Sequence, residues 1–217
     1  MRVNVFAIGV EAQDRALLHE VGVHNVRTSH CKEPGTLAMF VAERVDASGS
    51  FIVFEVYEGE AAYATHRASE QYQNYVSKAG SRLRERTAYE VNPVFLAEKL
   101  DSDTWLGPDH YYLKFARVET SVEGQLVFTE SVLKNMKTSL KEEDGVLAMY
   151  AVQDQAKPQV WYFFEVYASQ AAYQGHRETS HFQKYLAETK DLVLDKQLLD
   201  LINDVSMSQG KLRLEIN

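Results

Sequence analysis

Short runs of alternating apolar and polar residues in the first half of the chain have strand spacing, and longer stretches between them have helical spacing. The predicted strands lie at about residues 3–9, 36–43, 51–57 and 83–91. The predicted helices lie at about residues 12–28 and 59–79, with Ser69 as a candidate cap of a second helical segment. The resulting order, β-α-β-β-α-β, is that of a ferredoxin-like unit.

The second half of the chain repeats this order. Its predicted strands lie at about residues 111–118, 145–152 and 160–167, and its predicted helices at about residues 126–140 and 171–188. The leucines between Leu192 and Leu201 have a spacing that suits either a strand or a helix, whereas residues 212–216 alternate as in a strand. The pattern alone therefore leaves the end of the second copy open.

The residues themselves recur at a constant offset of 110 positions. Between residues 35–75 and 145–185, 15 of 41 aligned positions are identical. We therefore predict an α+β protein with two tandem ferredoxin-like domains, residues 1–100 and 108–217. The segments with linker composition are residues 92–93, 101–103 and 107–108. Domains of this size bury limited surface alone, so the two copies are expected to pack against each other.

The strand at residues 51–57 is apolar on both of its faces, and Glu55 is its only charged residue. An antiparallel sheet normally leaves one face to solvent, so both faces of this strand need a cover. We expect the helices of the same copy on one face and the sheet of the other copy on the opposite face.

Composition and charge argue against several classes of partner. The formal net charge is −8 and the pI is near 5.4, which argues against a nucleic acid or an anionic membrane surface. The single cysteine, Cys31, excludes an internal disulfide and a cysteine-rich zinc site, and favours a reducing compartment, with the cytoplasm as default. No apolar run approaches the ~18 residues of a membrane span, and the N-terminal residues have no leader pattern, so a soluble, unprocessed protein is expected.

The repeated residues predict one polar site in each copy. A glutamate and a tyrosine lie two apart on a strand face, and a histidine lies on the helix that is expected to cover this face. The candidate catalytic residues are Glu55, Tyr57 and His66 in the first copy and Glu165, Tyr167 and His176 in the second. A neutral imidazole with a carboxylate partner can act as a general base near pH 7. The same residues also fit a structural role, in which the histidine bridges helix and strand with the glutamate as its buried partner.

Further candidates for substrate binding surround these residues. They are His181, Asn4, Lys114, Tyr173, Tyr63 and Trp161. Asn4 and Lys114 occupy matching positions and could anchor a polar substrate group or face solvent, and the aromatic residues have the core as their default place. His181 stands where the first copy has Gln71, so the two sites are not equivalent. A metal site from His176 and His181 is not expected, because an i, i+5 spacing does not place two ligands side by side on a helix.

The order Glu-x-[Trp/Tyr], a small residue, His-x-x-[Ser/Thr]-x-x-[Phe/Tyr] and a later Tyr resembles the antibiotic biosynthesis monooxygenase domain of the dimeric α+β barrel superfamily. The resemblance covers nearly all of both copies. Residues 164–182 of the second copy match best and look most like the branch that holds quinol monooxygenases and the phospho-autoinducer-2 processing isomerase. The first copy departs from this pattern at Gln71, which makes the second pocket the preferred site.

The resemblance implies a fold and a chemistry. Two ferredoxin-like domains would face their sheets together, here as a dimeric α+β barrel within one chain. Each pocket would lie between sheet and helices and use no metal, flavin or other cofactor: a base deprotonates a dihydroxylated aromatic, and the anion reacts directly with dioxygen. His66 or His176 would be that base, with Glu and Tyr orienting or hydrogen-bonding the substrate oxygens. Haem-degrading relatives carry a Trp where this chain has Tyr57 and Tyr167, which disfavours haem.

Three functions follow as hypotheses. The first is a cofactor-independent monooxygenase that oxidises a small quinol-like or polyketide-like aromatic. The second is an isomerase or other proton-transfer enzyme that acts on a small carbonyl compound, and the third is a ligand-binding module without turnover. The expected partners are a small aromatic or carbonyl substrate and dioxygen. The sequence leaves open whether the two-domain chain also forms a homodimer.

Overall fold

The computed structural model of the chain describes residues 1–99, 111–210 and 212–215. Its strands are β1 (Arg2–Gly9), β2 (Thr36–Arg44), β3 (Ser50–Tyr57), β4 (Glu85–Tyr89), β5 (Val91–Glu98), β6 (Tyr112–Thr120), β7 (Val146–Asp154), β8 (Val160–Tyr167), β9 (Val193–Ser208) and β10 (Arg213–Glu215). Its α-helices are α1 (Arg15–Lys32), α2 (Glu60–Ala68), α3 (Glu70–Ala79), α4 (Gln125–Glu142), α5 (Gln170–Glu178) and α6 (Ser180–Thr189). None of the helices in these ranges is long and apolar enough to cross a bilayer. The predicted linker segments 101–103 and 107–108, and the predicted domain limits at residues 100 and 108, lie outside the described residues.

The described strands form one hydrogen-bonded antiparallel sheet. Its strand order is β10-β5-β7-β8-β6-β9-β2-β3-β1-β4. The first copy contributes β2-β3-β1-β4, and the second copy contributes β7-β8-β6-β9 in the corresponding order. The predicted α+β fold of two ferredoxin-like units with paired sheets is therefore confirmed.

The last strand of each copy extends to the edge of the other copy's sheet. β9 pairs with β6 from Val193 to Ile202 and with β2 from Leu201 to Ser208. In the same way β4 pairs with β1, and β5, which follows β4 directly, pairs with β7. This exchange gives β2 and β7 partners for backbone groups that an exposed edge would leave unpaired. Main-chain hydrogen bonds therefore join the two copies.

Two predictions of local structure were wrong, and the structure decides the conformation of the leucine-rich tail, which the sequence left open. Residues 92–93, predicted as linker, lie within β5, where Pro93 is accommodated beside an irregularity in the register. The single helix predicted at residues 171–188 is divided into α5 and α6 at Thr179, which is extended and caps α6 as Ser69 caps α3. The leucine-rich tail, which suited either strand or helix, is the strand β9.

Aromatic side chains fill the space between the two sheets. Phe54 of β3 stacks on Tyr150 of β7, with ring centroids 5.3 Å apart, and on Phe164 of β8 at 5.2 Å. Such ring pairs stabilise a core by about 0.5–1.5 kcal/mol beyond the burial of their area. Ile52 and Val56 belong to the same cluster. One face of β3 therefore contacts the other copy, as predicted.

The helices cover the opposite face of each sheet. Phe51 and Val53 of β3 pack in a separate cluster with Leu18 of α1. Glu55 and Tyr57 lie on this same face, because successive side chains along a strand point to opposite sides. The layer between helices and sheet therefore holds the polar residues that the repeat singled out.

Candidate functional site

Each copy has a cavity between its helices and its sheet. The first cavity has a volume of about 210 Å³, and its lining includes Asn25, Glu55 and Arg86. The second cavity has a volume of about 120 Å³, and its lining includes Asn135 and Glu165. Most lining positions correspond at the offset of 110 residues, so the cavities are equivalent places in the duplicated fold.

Larger side chains reduce the volume of the second cavity. The lining positions that become larger from the first copy to the second are Gly22/Val132, Val26/Met136, Val53/Phe163 and Val76/Leu186. Exchanges in the opposite direction, of which Phe6 to Ala116 is the largest, do not restore the lost volume. The first cavity is therefore the roomier one, although the sequence pattern favoured the second pocket.

Gly22→Val is expected to fill much of the first cavity without unfolding the protein. A Cβ at Gly22 meets no side chain within 4 Å, and the second copy carries a valine at this place. Valine also restricts the unfolded backbone more than glycine does. Calorimetric titration with 2-naphthol should show loss of binding at the first cavity, with little change in the unfolding temperature. Gly175→Ala, at another helical glycine whose Cβ would meet nothing, is the control, and unchanged binding in Gly22→Val would contradict the prediction.

A carboxylate and a phenol are joined at each cavity. Tyr57 donates to Glu55 Oε2 at 3.0 Å, and Asn4 Nδ2 donates to the same oxygen at 3.2 Å. Tyr167 donates to Glu165 Oε2 at 2.8 Å. Both glutamates line their cavities, whereas both tyrosines are fully buried and do not. The structure thus brings together the glutamate and tyrosine that share a strand face.

Burial changes the acidity of these groups. Desolvation raises the pKa of Glu55 above the ordinary carboxyl value and outweighs the nearby positive charge of His66 and the hydrogen bonds that oppose it. Desolvation raises the pKa of Glu165 in the same way. Burial and the adjacent carboxylate raise the pKa of Tyr57 and of Tyr167, so both phenols stay protonated at neutral pH and act as donors. Each cavity therefore presents a carboxyl group that holds a proton more readily than it would in water, which suits proton transfer.

Glu55→Gln is expected to flatten the dependence of stability on pH. A carboxyl group with a raised folded-state pKa contributes its full stability below the ordinary carboxyl pKa, and this contribution is lost as the pH rises through the folded-state pKa. Glutamine keeps an oxygen that can accept from Tyr57 and Asn4, but it does not ionise. The unfolding free energy of the variant, measured with urea at several pH values, should exceed that of the wild type most at the highest pH.

A variant curve that runs parallel to the wild-type curve would contradict this pH prediction. Glu58→Gln, at an exposed residue of the same copy, is the matched control and should leave the pH profile unchanged.

A second carboxylate, which the sequence analysis missed, holds each histidine. His66 Nδ1 lies 2.8 Å from Glu33 Oε2, and His176 Nδ1 lies 2.9 Å from Glu143 Oε1. An ionised carboxylate only accepts hydrogen bonds, so Nδ1 carries the proton, and Nε2 is left to act as a base when the ring is neutral. The expected carboxylate partner in the first copy, Glu55, bonds to a tyrosine instead.

Hydrogen bonds keep Glu33 ionised despite its burial. Burial alone would raise the pKa of this carboxyl, but hydrogen bonds from His66 and Thr36 and the charge of His66 outweigh it, so the pKa is lowered. Thr36 Oγ1 donates to Oε2 at 2.7 Å, and Gln71 donates to Oε1. The carboxylate therefore fixes the orientation of the imidazole beside it.

The repeat in the sequence also includes the glutamates that hold the two histidines. Upstream of the compared stretch, the same offset relates further identical residues, Asn25/Asn135, Ser29/Ser139 and Glu33/Glu143. All of these lie on α1 and α4 or directly after them. Extending the comparison of the copies into the first helix would have placed the two glutamates among the candidates.

The two histidines differ in their access to the cavities. His176 lines the second cavity. His66 is fully buried and does not line the first cavity, and its Nε2 has no hydrogen-bond partner among the described residues. That the second cavity is the functional site stays a prediction. The position of His176 in its lining supports this prediction, and the smaller volume of the second cavity opposes it.

Three of the predicted substrate-binding residues line a cavity. Tyr63 lines the first cavity, and Tyr173 and Lys114 line the second. Lys114 Nζ lies 2.5 Å from Asp200 Oδ1 and 4.9 Å from the ring centroid of Tyr173. Hydrogen bonds from Lys114 and Tyr112 lower the pKa of Asp200, so this carboxylate stays ionised beside the lysine. The second cavity therefore has a cationic group on its wall.

The other three predicted substrate-binding residues lie outside the two cavities. Asn4 lines a separate polar cleft near the start of the chain. His181 Nε2 lies 3.2 Å from Glu143 Oε1. Trp161 is fully buried and stacks on Phe163, with centroids 5.8 Å apart, so it occupies the core position that is the default for an aromatic residue. Within the described ranges, no group of three His, Cys, Asp or Glu side chains has the arrangement of a metal site.

Comparison with known proteins assigns the family. The model of the antibiotic biosynthesis monooxygenase family matches residues 1–78 and 115–188, one segment in each copy and together more than half of the chain. The chain therefore belongs to the antibiotic biosynthesis monooxygenase family, whose members act on small-molecule substrates.

Several solved structures share the complete two-copy fold. A candidate monooxygenase from Lactobacillus acidophilus NCFM is 23% identical, with 98% of each chain covered and a TM-score of 0.91. A candidate monooxygenase from Fusobacterium nucleatum subsp. nucleatum is 19% identical, with 99% of this chain and 97% of that chain covered and a TM-score of 0.90. An anthrone oxidase-like protein is 13% identical, with 96% and 94% covered and a TM-score of 0.59. At these identities the likeness shows the fold alone, and a search of curated proteins finds no match.

Proposed function

We propose that this chain is a cofactor-independent monooxygenase that oxidises a small quinol-like or polyketide-like aromatic with dioxygen. The observation that carries the proposal is His176, which lines a largely apolar cavity while Glu143 holds its Nδ1 at 2.9 Å. Membership of the antibiotic biosynthesis monooxygenase family supports monooxygenase chemistry in general.

The first step is removal of a proton from the substrate. His176 Nε2 accepts the proton of a ring hydroxyl, and Glu143 stabilises the resulting imidazolium through Nδ1. Lys114, whose side chain is 8% exposed and lines the same cavity, stabilises the phenolate through its positive charge. The substrate thereby becomes an electron-rich anion, with negative charge spread to ring carbons.

The second step is the reaction of this anion with dioxygen. The ring donates electrons to dioxygen, and a carbon–oxygen bond forms at a ring carbon that carries a hydrogen. Glu165, whose pKa burial raises, protonates the peroxide to a hydroperoxide. Loss of one water molecule, made from the distal hydroxyl and the hydrogen of that carbon, leaves one oxygen atom on the ring as a carbonyl. The proton held by His176 then restores Glu165, so each turnover consumes one dioxygen and releases one water.

Isotope labelling tests the proposed oxygenase. A panel of dihydroxynaphthalenes and anthrone is incubated with the protein under ¹⁸O₂, and products are analysed by mass spectrometry. The expected result is one ¹⁸O atom per product and oxygen uptake well above the rate without protein. Products that carry no ¹⁸O from ¹⁸O₂, or no uptake above background with any member of the panel, would contradict the proposal.

A proton-transfer enzyme is the second candidate. Glu165 and His176 line the same cavity, so two groups that can exchange protons would contact one substrate. Such an enzyme would isomerise a small carbonyl compound without consuming oxygen. Anaerobic exchange of substrate α-hydrogens for deuterium in D₂O, lost in His176→Ala, would identify it. A ligand-binding module would show neither oxygen uptake nor exchange.

A further inference from the structure

The first cavity continues into a polar cleft, and Arg86 of β4 lies where the two meet. Phe6, Tyr63 and Arg86 belong to the lining of both spaces. The cleft has a volume of about 520 Å³, and its lining also includes Asn4 and Glu90. A ligand in the first cavity can therefore extend past Arg86 into the cleft.

Strand pairing and a ring contact place the charged end of Arg86 at this opening. Arg86 pairs with Ile8 of β1, which pairs with Phe51 of β3. Ile8 and Phe51 pack with Leu18 of α1, and paired residues share a face of the sheet, so Arg86 lies on the side that the helices cover. Its Cζ lies 5.5 Å from the ring centroid of Phe6, and the residue is exposed. The guanidinium is therefore close to the cavity and open to a ligand.

The charge of Arg86 acts on the polar groups of the first cavity. Burial raises the pKa of Glu55, Tyr72 and Tyr75, and the positive charge of Arg86 opposes each of these shifts. All three residues line the cavity. Within the described part of the chain, Arg86 is the one arginine or lysine in this lining. The positive charge at the cavity therefore comes from this one side chain.

Arg86 forms no ion pair with a carboxylate among the described residues, although the protein is acidic. Arg84, two positions earlier, has Glu11 as its partner at 3.1 Å, and Arg2, which lines the same cleft, has Glu60 at 2.5 Å. An exposed arginine needs no partner, because water solvates its charge. A ligand that fills the cavity mouth displaces part of this water, which favours a ligand with a negative group at this place.

The second copy carries a cation at the matching place. Lys196 pairs with Val118 of β6 as Arg86 pairs with Ile8, and it lines the second cavity. A guanidinium presents two parallel N–H groups to a carboxylate, whereas an ammonium group is a point charge. The positive charge is thus common to both cavities, and the geometry that favours a carboxylate belongs to the first.

We propose that Arg86 is a specificity-determining residue of the first cavity, and that its guanidinium binds the carboxylate of an aromatic acid whose ring occupies the cavity. Apolar side chains that include Leu18 and Val53 take the ring. One guanidinium matches the single charge of a carboxylate better than the nearly double charge of a phosphate group, which several donors hold. The aromatic ring rests on the proposed function, whereas the carboxylate rests on Arg86.

Two probes of nearly equal shape, one charged and one neutral, test this assignment. In calorimetric titrations without oxygen near neutral pH, Arg86→Gln is expected to weaken the binding of 2-naphthylacetate about tenfold and to leave that of 2-naphthylacetamide within about twofold of wild type. Arg86→Lys keeps the charge and should recover part of the lost affinity. The preference for the acid over the amide should fall as the salt concentration rises in the wild type, but not in Arg86→Gln.

Three further variants locate the effect. Arg84→Gln removes an exposed arginine that lines neither the cavity nor the cleft, and Lys196→Gln removes the matching cation of the second copy. Both should leave binding at the first cavity unchanged. Gly22→Val should remove the binding of both probes there, because it fills the cavity.

Equal weakening of both probes by Arg86→Gln, no change with either probe, or the same loss in Arg84→Gln would overturn the assignment. Absence of oxygen uptake with the preference for the acid retained would count against the proposed function and leave the role of Arg86 standing.

Discussion

His176→Ala is expected to lower kcat for oxygen-dependent turnover of a quinol substrate by about 10²- to 10⁴-fold, which is the usual contribution of a positioned general base. His176 lines the second cavity, and its Nδ1 is held by Glu143, so Nε2 is the nitrogen that remains for the substrate proton. Removing the ring leaves the apolar walls and Lys114 in place. Substrate binding should therefore change less than kcat does.

The matched variant in the first copy is His66→Ala. His66 is fully buried and does not line its cavity, so a smaller change in kcat is expected. His24→Ala, at an exposed residue of α1, controls for a general effect of losing a histidine. Steady-state oxygen uptake on the three variants measures the difference. If His66→Ala abolishes turnover and His176→Ala retains it, the working base lies in the first copy instead.

Glu33→Ala is expected to lower the free energy of unfolding by about 3–5 kcal/mol, as breaking a buried polar pair from one side does in other proteins. The Glu33 side chain is 6% exposed and meets His66, Thr36 and Gln71. Its removal leaves three buried polar side chains without their carboxylate partner, and each loses a hydrogen bond that water cannot replace.

The effect of Glu33→Ala should also depend on pH. The folded-state pKa of Glu33 is lowered, so its contribution to stability is present above the ordinary carboxyl pKa and is lost as the pH falls through the folded-state pKa. The difference between variant and wild type should therefore be largest near neutral pH and shrink in acid.

Urea unfolding at several pH values measures this difference. Asp46→Ala, which removes an exposed ion pair with Arg44, is the control and should leave stability nearly unchanged. A Glu33→Ala variant as stable as that control would show that the carboxylate does not hold the cluster together.

Much of the fold could be predicted because its signals are local. The apolar run along both faces of β3 and the cap at Ser69 each depend on neighbours within a few positions, and the structure has both. Thr179 makes the same cap in the second copy, although the helical spacing around it predicts one helix over residues 171–188, since threonine also occurs inside helices. Pro93 predicts a linker because proline rarely lies within a sheet, and only the register irregularity in β5 makes this proline compatible with a strand.

The candidate site was predictable in its residues but less so in its contacts. The repeat singled out Glu55, Tyr57 and His66, and the structure joins the first two. It pairs the histidine with Glu33, which lies 33 positions away in the chain at the end of α1. Periodicity within a helix or strand carries no information about which helix end meets which ring. The state of Asn25, whose Oδ1 accepts no hydrogen bond from any described residue, was hidden for the same reason.

The sequence by itself determined that this protein is one ferredoxin-like unit written twice, because recurrence at 110 positions and the spacing of apolar residues are properties of the chain alone. It also determined that a glutamate, a tyrosine and a histidine recur at the same places in both copies. Only the tertiary structure decided that β5 of the first copy and β9 of the second copy continue to the sheet of the other copy. It also decided that the first cavity is the larger one, and that Arg86 lies between this cavity and a polar cleft. These features depend on distances between segments far apart in sequence, which are set only when the helices pack on the sheet.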